Sequence, residues 1–200
     1  MSNIVRISNR ILRIGGKIVN ELTPYTPPPP PDYVVIGTQT WKNSNLAIDD
    51  GQGGIEIRDG IYYYSYDAAV RVASSVDGYH LPSKDEVTTL LNYVGSTSEE
   101  RFYALASRSG WYVNGNDTYG FNATPAYYPT VNPSQQDIRE ARTLPLCIID
   151  QSSNYYGFYI SDFKYYTGYD GRGAFLEKQV NVEYLFTNTN KFCVRLIKDN

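Results

Sequence analysis

Apolar residues along this chain come in short runs broken by turn residues, and only a few stretches carry helical spacing. Residues 4–7, 10–14 and 17–22 read as three short strands. Ser8-Asn9 and Gly15-Gly16 separate them, and Gly-Gly between two runs is a hairpin signal. Pro27 to Pro31 come next. Five consecutive prolines lack N–H donors and fix φ, which excludes helix and central strand. They predict polyproline II at roughly 3.1 Å per residue, about 15 Å in all. Beyond them, Tyr33-Val34-Val35-Ile36 reads as a strand, Gly37-Thr38 as a turn and Gln39-Thr40-Trp41 as the next strand. Ile55-Glu56-Ile57 is a short strand ending at Asp59-Gly60.

Helical spacing starts after Ser65, which can cap a helix through Asp67, Ala68, Ala69, Val70 and Val72. The second helix has a fuller signature. Ser83 and Glu86 form a capping box ahead of Val87, Leu90, Leu91 and Val94, and Gly95 stops the helix. Residues 97–107 add a weaker third, with Phe102 and Leu105 on one face. Later strands are expected at Leu146 to Ile149, Tyr155 to Ile160, Val180 to Phe186 and Phe192 to Ile197. The last two read as a hairpin closed by Asn188-Thr189-Asn190. The pattern predicts a β-rich segment over 1–26, a proline linker over 27–32 and one α+β domain over 33–200. In that domain two or three helices lie on a twisted, mainly antiparallel sheet.

Charge sharpens this division. The net charge is −3, which gives no general reason to expect nucleic acid. Residues 1–31 hold Arg6, Arg10, Arg13 and Lys17 against Glu21 alone, whereas the rest holds fourteen basic and twenty acidic residues. A basic segment this short buries too little surface to fold stably by itself, so it is expected to dock on a larger body through those four cations or to pack against its own copies. No run approaches the roughly 18 apolar residues of a membrane span. Residues 1–22 break their apolar runs with arginines and Gly15-Gly16, so they do not read as a signal peptide.

Tyrosine is the compositional outlier, at twenty residues of 200. Tyr offers flat contact area at low entropy cost with a polar tip. The densest stretch runs from Asn154 through Tyr155, Tyr156, Tyr159, Asp162, Tyr165, Tyr166, Tyr169 and Asp170 to Arg172. Rings mixed with short polar groups suit recognition of sugar or protein, and those tyrosines with Asp162 and Asp170 are the candidate ligand contacts. The alternative is a strand and loop whose rings cover a core or an oligomer contact.

Landmarks in order along residues 33–199 resemble one family. They are Ile36 to Trp41 with Asn45-Leu46, Tyr66 to Ala69, Gly78-Tyr79-His80-Leu81-Pro82-Ser83 with Glu86, Asp117 to Ala123 with Pro125-Ala126, and Phe192 to Asp199. The domain is similar to the Fibrobacter succinogenes major paralogous domain, a C-type-lectin-like module. That resemblance implies a lectin-like fold and no particular catalysis. It does not carry over the family's usual disulfide. Ser74-Ser75 and Val76-Asp77 stand where a cysteine is common, Tyr79 stands for Trp, and Cys193 precedes Arg195 instead of following it.

Catalytic chemistry finds little support. His80 is the single histidine and sits in a structural box ahead of Leu81-Pro82, so it reads as a satisfied turn histidine. Cys147 and Cys193 lack metal spacing and have apolar flanks, which favours buried thiols. Asp49, Asp50 and Asp170 are the carboxylates calcium would use, but no EF-hand spacing surrounds them, and no cofactor or metal is expected. Gly51-Gln52-Gly53-Gly54 lacks the lysine and helix of a P-loop.

The expectation is a non-enzymatic virion protein of a tailed phage, a head or tail fibre or decoration. Its N-terminal segment would meet other virion proteins. Its lectin-like domain would face a host-surface glycan or protein from the capsid or tail exterior, as a homo-oligomer, taken as a trimer. The alternative is a bacterial surface or secreted binding module of the same family. An enzyme related to formylglycine-generating proteins would need Cys147 and Cys193 to meet and be accessible. A receptor binder diversified by a retroelement is a minor branch.

Overall fold

Residues 13–14, 17–18, 29–126, 138–149, 155–167, 173–185 and 191–199 are described by the computed structural model. The chain divides into two compact units, Met1–Pro30 and Pro31–Asn200. In the first, β1 (Arg13–Ile14) pairs antiparallel with β2 (Lys17–Ile18), on either side of Gly15-Gly16. The remaining strand expected there, over residues 4–7, and the candidates Arg6 and Arg10 lie outside the described residues.

The second unit is mixed α+β, with three helices and antiparallel ladders among the described residues. β3 (Tyr33–Ile36) and β4 (Gln39–Lys42) form a hairpin at Gly37-Thr38. β5 (Ile55–Arg58) and β6 (Ile61–Tyr64) form another. Its turn is Asp59-Gly60, both left-handed at φ 50° and 78°, as the tightest hairpin turns require. α1 (Tyr66–Ala73) starts at Ser65, whose hydroxyl accepts the Ala68 N–H, and it buries Ala68, Ala69, Val72 and Ala73.

α2 (Lys84–Val94) follows the two-residue β7 (Tyr79–His80), and α3 (Ser98–Leu105) follows α2. Both helices open on complete capping boxes, Ser83 with Glu86 and Thr97 with Glu100. Gly95 lies between them in extended backbone at φ 173°, so space and not φ explains the glycine. A Cβ there would stand 2.7 Å from the Glu100 Cβ and 3.0 Å from the Arg101 nitrogen, so a side chain would push the two helices apart.

The remaining strands are long. β8 (Ile138–Ile148), β9 (Tyr155–Thr167) and β10 (Gly173–Leu185) form an antiparallel meander with β9 central. β9 and β10 pair over thirteen positions, from Tyr155↔Leu185 to Thr167↔Gly173. This corrects several expectations: the strand expected from Leu146 begins at Ile138, and the one expected from Val180 begins at Gly173. The strand from Tyr155 does not end at Ile160, and the run after Phe192 does not close a hairpin with Val180 to Phe186. β10 pairs with β9 over those thirteen positions, and the run after Phe192 pairs with other elements. The later run turns elsewhere. Phe192 bridges Tyr64, Cys193 bridges Leu146 in parallel, and β11 (Ile197–Lys198) inserts between β4 and β7.

Two buried clusters result. The larger gathers Trp41, Leu90, Phe102, Trp111 and Phe121 with Leu144, Leu146, Phe158, Ile160 and Val180 of the meander. The smaller gathers Tyr64, the α1 alanines, Leu81, Cys147, Phe192 and Val194. Burying each large side chain of this kind is worth about 1.5–3 kcal/mol.

Candidate binding face

The tyrosine-rich run is the central strand of the meander, so its residues alternate between faces. Phe158 and Ile160 are fully buried in the larger cluster, beside Leu144, Leu146 and Val180 on the neighbouring strands. Tyr156 and Tyr166 share their even register, and Tyr155 and Tyr165 share the odd register of Tyr159. Tyr159 itself is half-buried against the smaller cluster. Its ring lies over Gly157, where an added Cβ would come within 2.5 Å of it. The middle of β9 is therefore covered on both sides. Tyr165 and Tyr166 lie five and six positions beyond Ile160, about 16 Å or more along the strand. Tyr169 and Asp170 lie outside the described residues.

Asp162 is a correction. A carboxylate among tyrosines suggested a group for ligand hydroxyls, but it is 0% exposed. Its Oδ2 accepts the backbone N–H groups of Tyr112 at 2.6 Å and Val113 at 3.2 Å. Its Oδ1 is buried without a partner among the described residues. Burial lifts the pKa above the usual carboxylate value, against the pull of those two N–H donors and of Arg142. Arg142, the cross-strand partner of Asp162, donates to the Gly110 carbonyl and stacks 4.1 Å over the Tyr112 ring. Trp111 sits beneath, its indole N–H shared between Ser107 Oγ and the Ala123 carbonyl, its ring edge-on to Phe102 at 5.2 Å. Asp162 and Arg142 thus pin the irregular segment 107–117 onto the sheet.

Arg195 plays the matching part at the last strand. It is 1% exposed and its hydrogen-bond partners are neutral. Nε and Nη2 donate to Asn45 Oδ1 at 3.1 and 2.7 Å, and Nη1 and Nη2 donate to the carbonyls of Phe121 and Asn122. The guanidinium lies 4.5 Å from the Phe121 ring centre. Burial lowers its pKa to about 10, so the group stays charged at neutral pH.

No family model, curated protein or solved structure matches this chain.

The reactive side chains are tied up. His80 Nδ1 faces Asp199 Oδ1 at 2.6 Å and Nε2 faces Glu86 Oε1 at 3.0 Å. Ser83 Oγ donates to Glu86 Oε2 at 2.8 Å, so among the described residues no hydroxyl is hydrogen-bonded to the imidazole as a nucleophile would be. Cys147 and Cys193 are neighbours through the backbone, the Cys147 N–H donating to the Cys193 carbonyl at 2.9 Å, yet both are free, buried and assigned to different clusters. Burial pushes both thiols up to about 12, far from the thiolate a reaction needs. Asp50 is taken by Arg71 through two contacts of 2.5 and 3.1 Å, and Asp49 by the Gly51 N–H. Among the described residues no cluster of three metal-ligating side chains occurs. No helix described is long and apolar enough to cross a membrane.

One surface escaped the sequence reading. Tyr33 is 44% and Val35 62% exposed on the outer side of β3, an edge strand of its sheet. Nearby, Lys42 lies 4.3 Å over the Tyr79 ring and pairs with Asp32 at 2.6 Å. Four consecutive apolar residues from Tyr33 conceal the alternation that would have marked one open side. The anchoring candidates Arg13 and Lys17 fall on β1 and β2.

Proposed function

We propose that this chain is a non-enzymatic attachment protein of a phage particle, with a C-type-lectin-like domain carried on an N-terminal segment that docks on other virion proteins. The observation that carries the reading is the division of the chain at its proline run into a basic segment too small to stand alone and a larger α+β unit. Satisfied histidine and buried thiols support a binding role over catalysis. Recognition falls at the far end of the β9–β10 hairpin, on Tyr165 and Tyr166 with Tyr169 and Asp170 next in sequence. Its targets are glycans or proteins of a host surface, met by aromatic stacking and short polar contacts. The chain works as a homo-oligomer, in our reading a trimer, whose copies complete the small N-terminal unit.

The test is incorporation into particles. The full chain and residues 32–200 are each mixed with particles that lack the protein, and the particles are then purified. The full chain is expected to co-purify and the shortened chain to stay free. Equal incorporation of both would refute N-terminal docking.

A further inference from the structure

His80 is the single histidine of the chain, and both of its ring nitrogens face carboxylates. A neutral imidazole carries one N–H and one lone pair, so it can satisfy only one of them. The imidazolium satisfies both. The two carboxylates come from different elements. Glu86 belongs to the first turn of α2, where its other oxygen already accepts the Ser83 N–H at 2.7 Å and the Ser83 hydroxyl. Asp199 follows β11, has a half-exposed side chain, and is otherwise tied by its N–H to the Gly78 carbonyl at 3.0 Å. We propose that His80 is the pin of a protonation-dependent latch that fastens the segment after β11 to the start of α2, and that loss of its proton frees Asp199.

Asp199 makes the shorter contact with the ring, but its more exposed carboxylate can be taken up by water while Glu86 stays tied to Ser83, so Asp199 is the one released. The other charged groups on the elements around His80 are Lys84 and Asp85 on α2, Asp77 in the preceding turn, Lys42 on β4 and Lys198 on β11. None of these hydrogen-bonds the ring, and Lys198 pairs with Tyr79 in register, on the opposite side of the sheet from His80. Partial burial opposes the charged ring, but the bonds to Asp199 and Glu86 outweigh it and hold the pKa above its ordinary 6.5. A histidine with a raised folded pKa adds stability that is complete below the unfolded value. That stability is lost as pH rises from 6.5 through the folded value. The latch is therefore tight in mild acid and loosens in the alkaline direction.

A single histidine makes the test clean, because its ring signals in a proton NMR titration need no assignment. The full chain is expected to titrate above 6.5, and Asp199→Asn to move that midpoint down toward 6.5. The melting temperature should fall by roughly 1–3 °C between about pH 6 and pH 8.5, as suits a half-exposed ion pair. His80→Gln, whose amide keeps N–H donors and carries no charge, should abolish that fall. A wild-type midpoint at or below 6.5, or a midpoint that Asp199→Asn leaves in place, would overturn the latch. So would an equal pH dependence in His80→Gln.

Discussion

The two-helix region and the meander are held by opposite kinds of contact. α2 and α3 each begin with a reciprocal cap spanning three residues, Ser83 to Glu86 and Thr97 to Glu100. The meander and the last strand are held by groups that reach far along the chain. Asp162 meets Tyr112 at a separation of 50 residues, and Arg195 meets Asn45 at 150. Local caps fix where an element starts. Distant pins fix which irregular segment lies against which strand. Each of these long-range groups is a buried ionisable side chain that satisfies several polar partners, so losing one strands them together.

That contrast orders the effects of substitution. Arg195→Met should be the most damaging, at about 4 kcal/mol, because Asn45, the buried Phe121 carbonyl and the Asn122 carbonyl lose their donor together. At roughly 2–4 °C per kcal/mol for a chain of this size, thermal denaturation should register a drop of about 10 °C. Asp162→Ala comes next, at about 2–3 kcal/mol, since it orphans the N–H groups of Tyr112 and Val113. Asp162→Asn keeps an acceptor and removes the buried charge, so it should cost under about 1 kcal/mol. The pH profile separates the two effects. The folded pKa of Asp162 is raised, so its ionisation weakens the fold as pH climbs from 3.8 upward. The asparagine variant should gain on wild type over that range in denaturant titrations.

Smaller effects fall on the sheet and the caps. Gly157→Ala places a methyl against the Tyr159 ring and should cost about 1–3 kcal/mol, with a change in near-ultraviolet circular dichroism as the ring moves. Ser83→Ala or Thr97→Ala should cost about 1 kcal/mol each. Cap variants that destabilise as much as Arg195→Met would erase the distinction between local and distant support.

The same distinction explains what could be read from the sequence. Ser65, Ser83 and Gly95 announce their helices because the cap chemistry is adjacent in the chain. Thr97-Ser98-Glu99-Glu100 carries an equally good capping box, and reading it would have promoted the third helix. The meander was legible only in part. Pro145 argues against a strand through that position, yet β8 is an edge of its sheet, where a missing N–H is tolerated. Asp162 was misjudged for a related reason. Ending the strand at Ile160 hid the shared register of Phe158, Ile160 and Asp162, which puts the carboxylate on the core side. The partners of Arg195 lie 73 to 150 residues away, and no local pattern encodes them.

The recognition role proposed for the far end of the β9–β10 hairpin is tested most directly by binding. Tyr165→Ala combined with Tyr166→Ala in the full chain would be measured on host cells and on a broad glycan array, with thermal denaturation alongside. The expected result is at least a roughly tenfold loss of attachment, the size of a lost aromatic hot spot, with little change in melting temperature. Full attachment by a folded double variant would contradict the assignment.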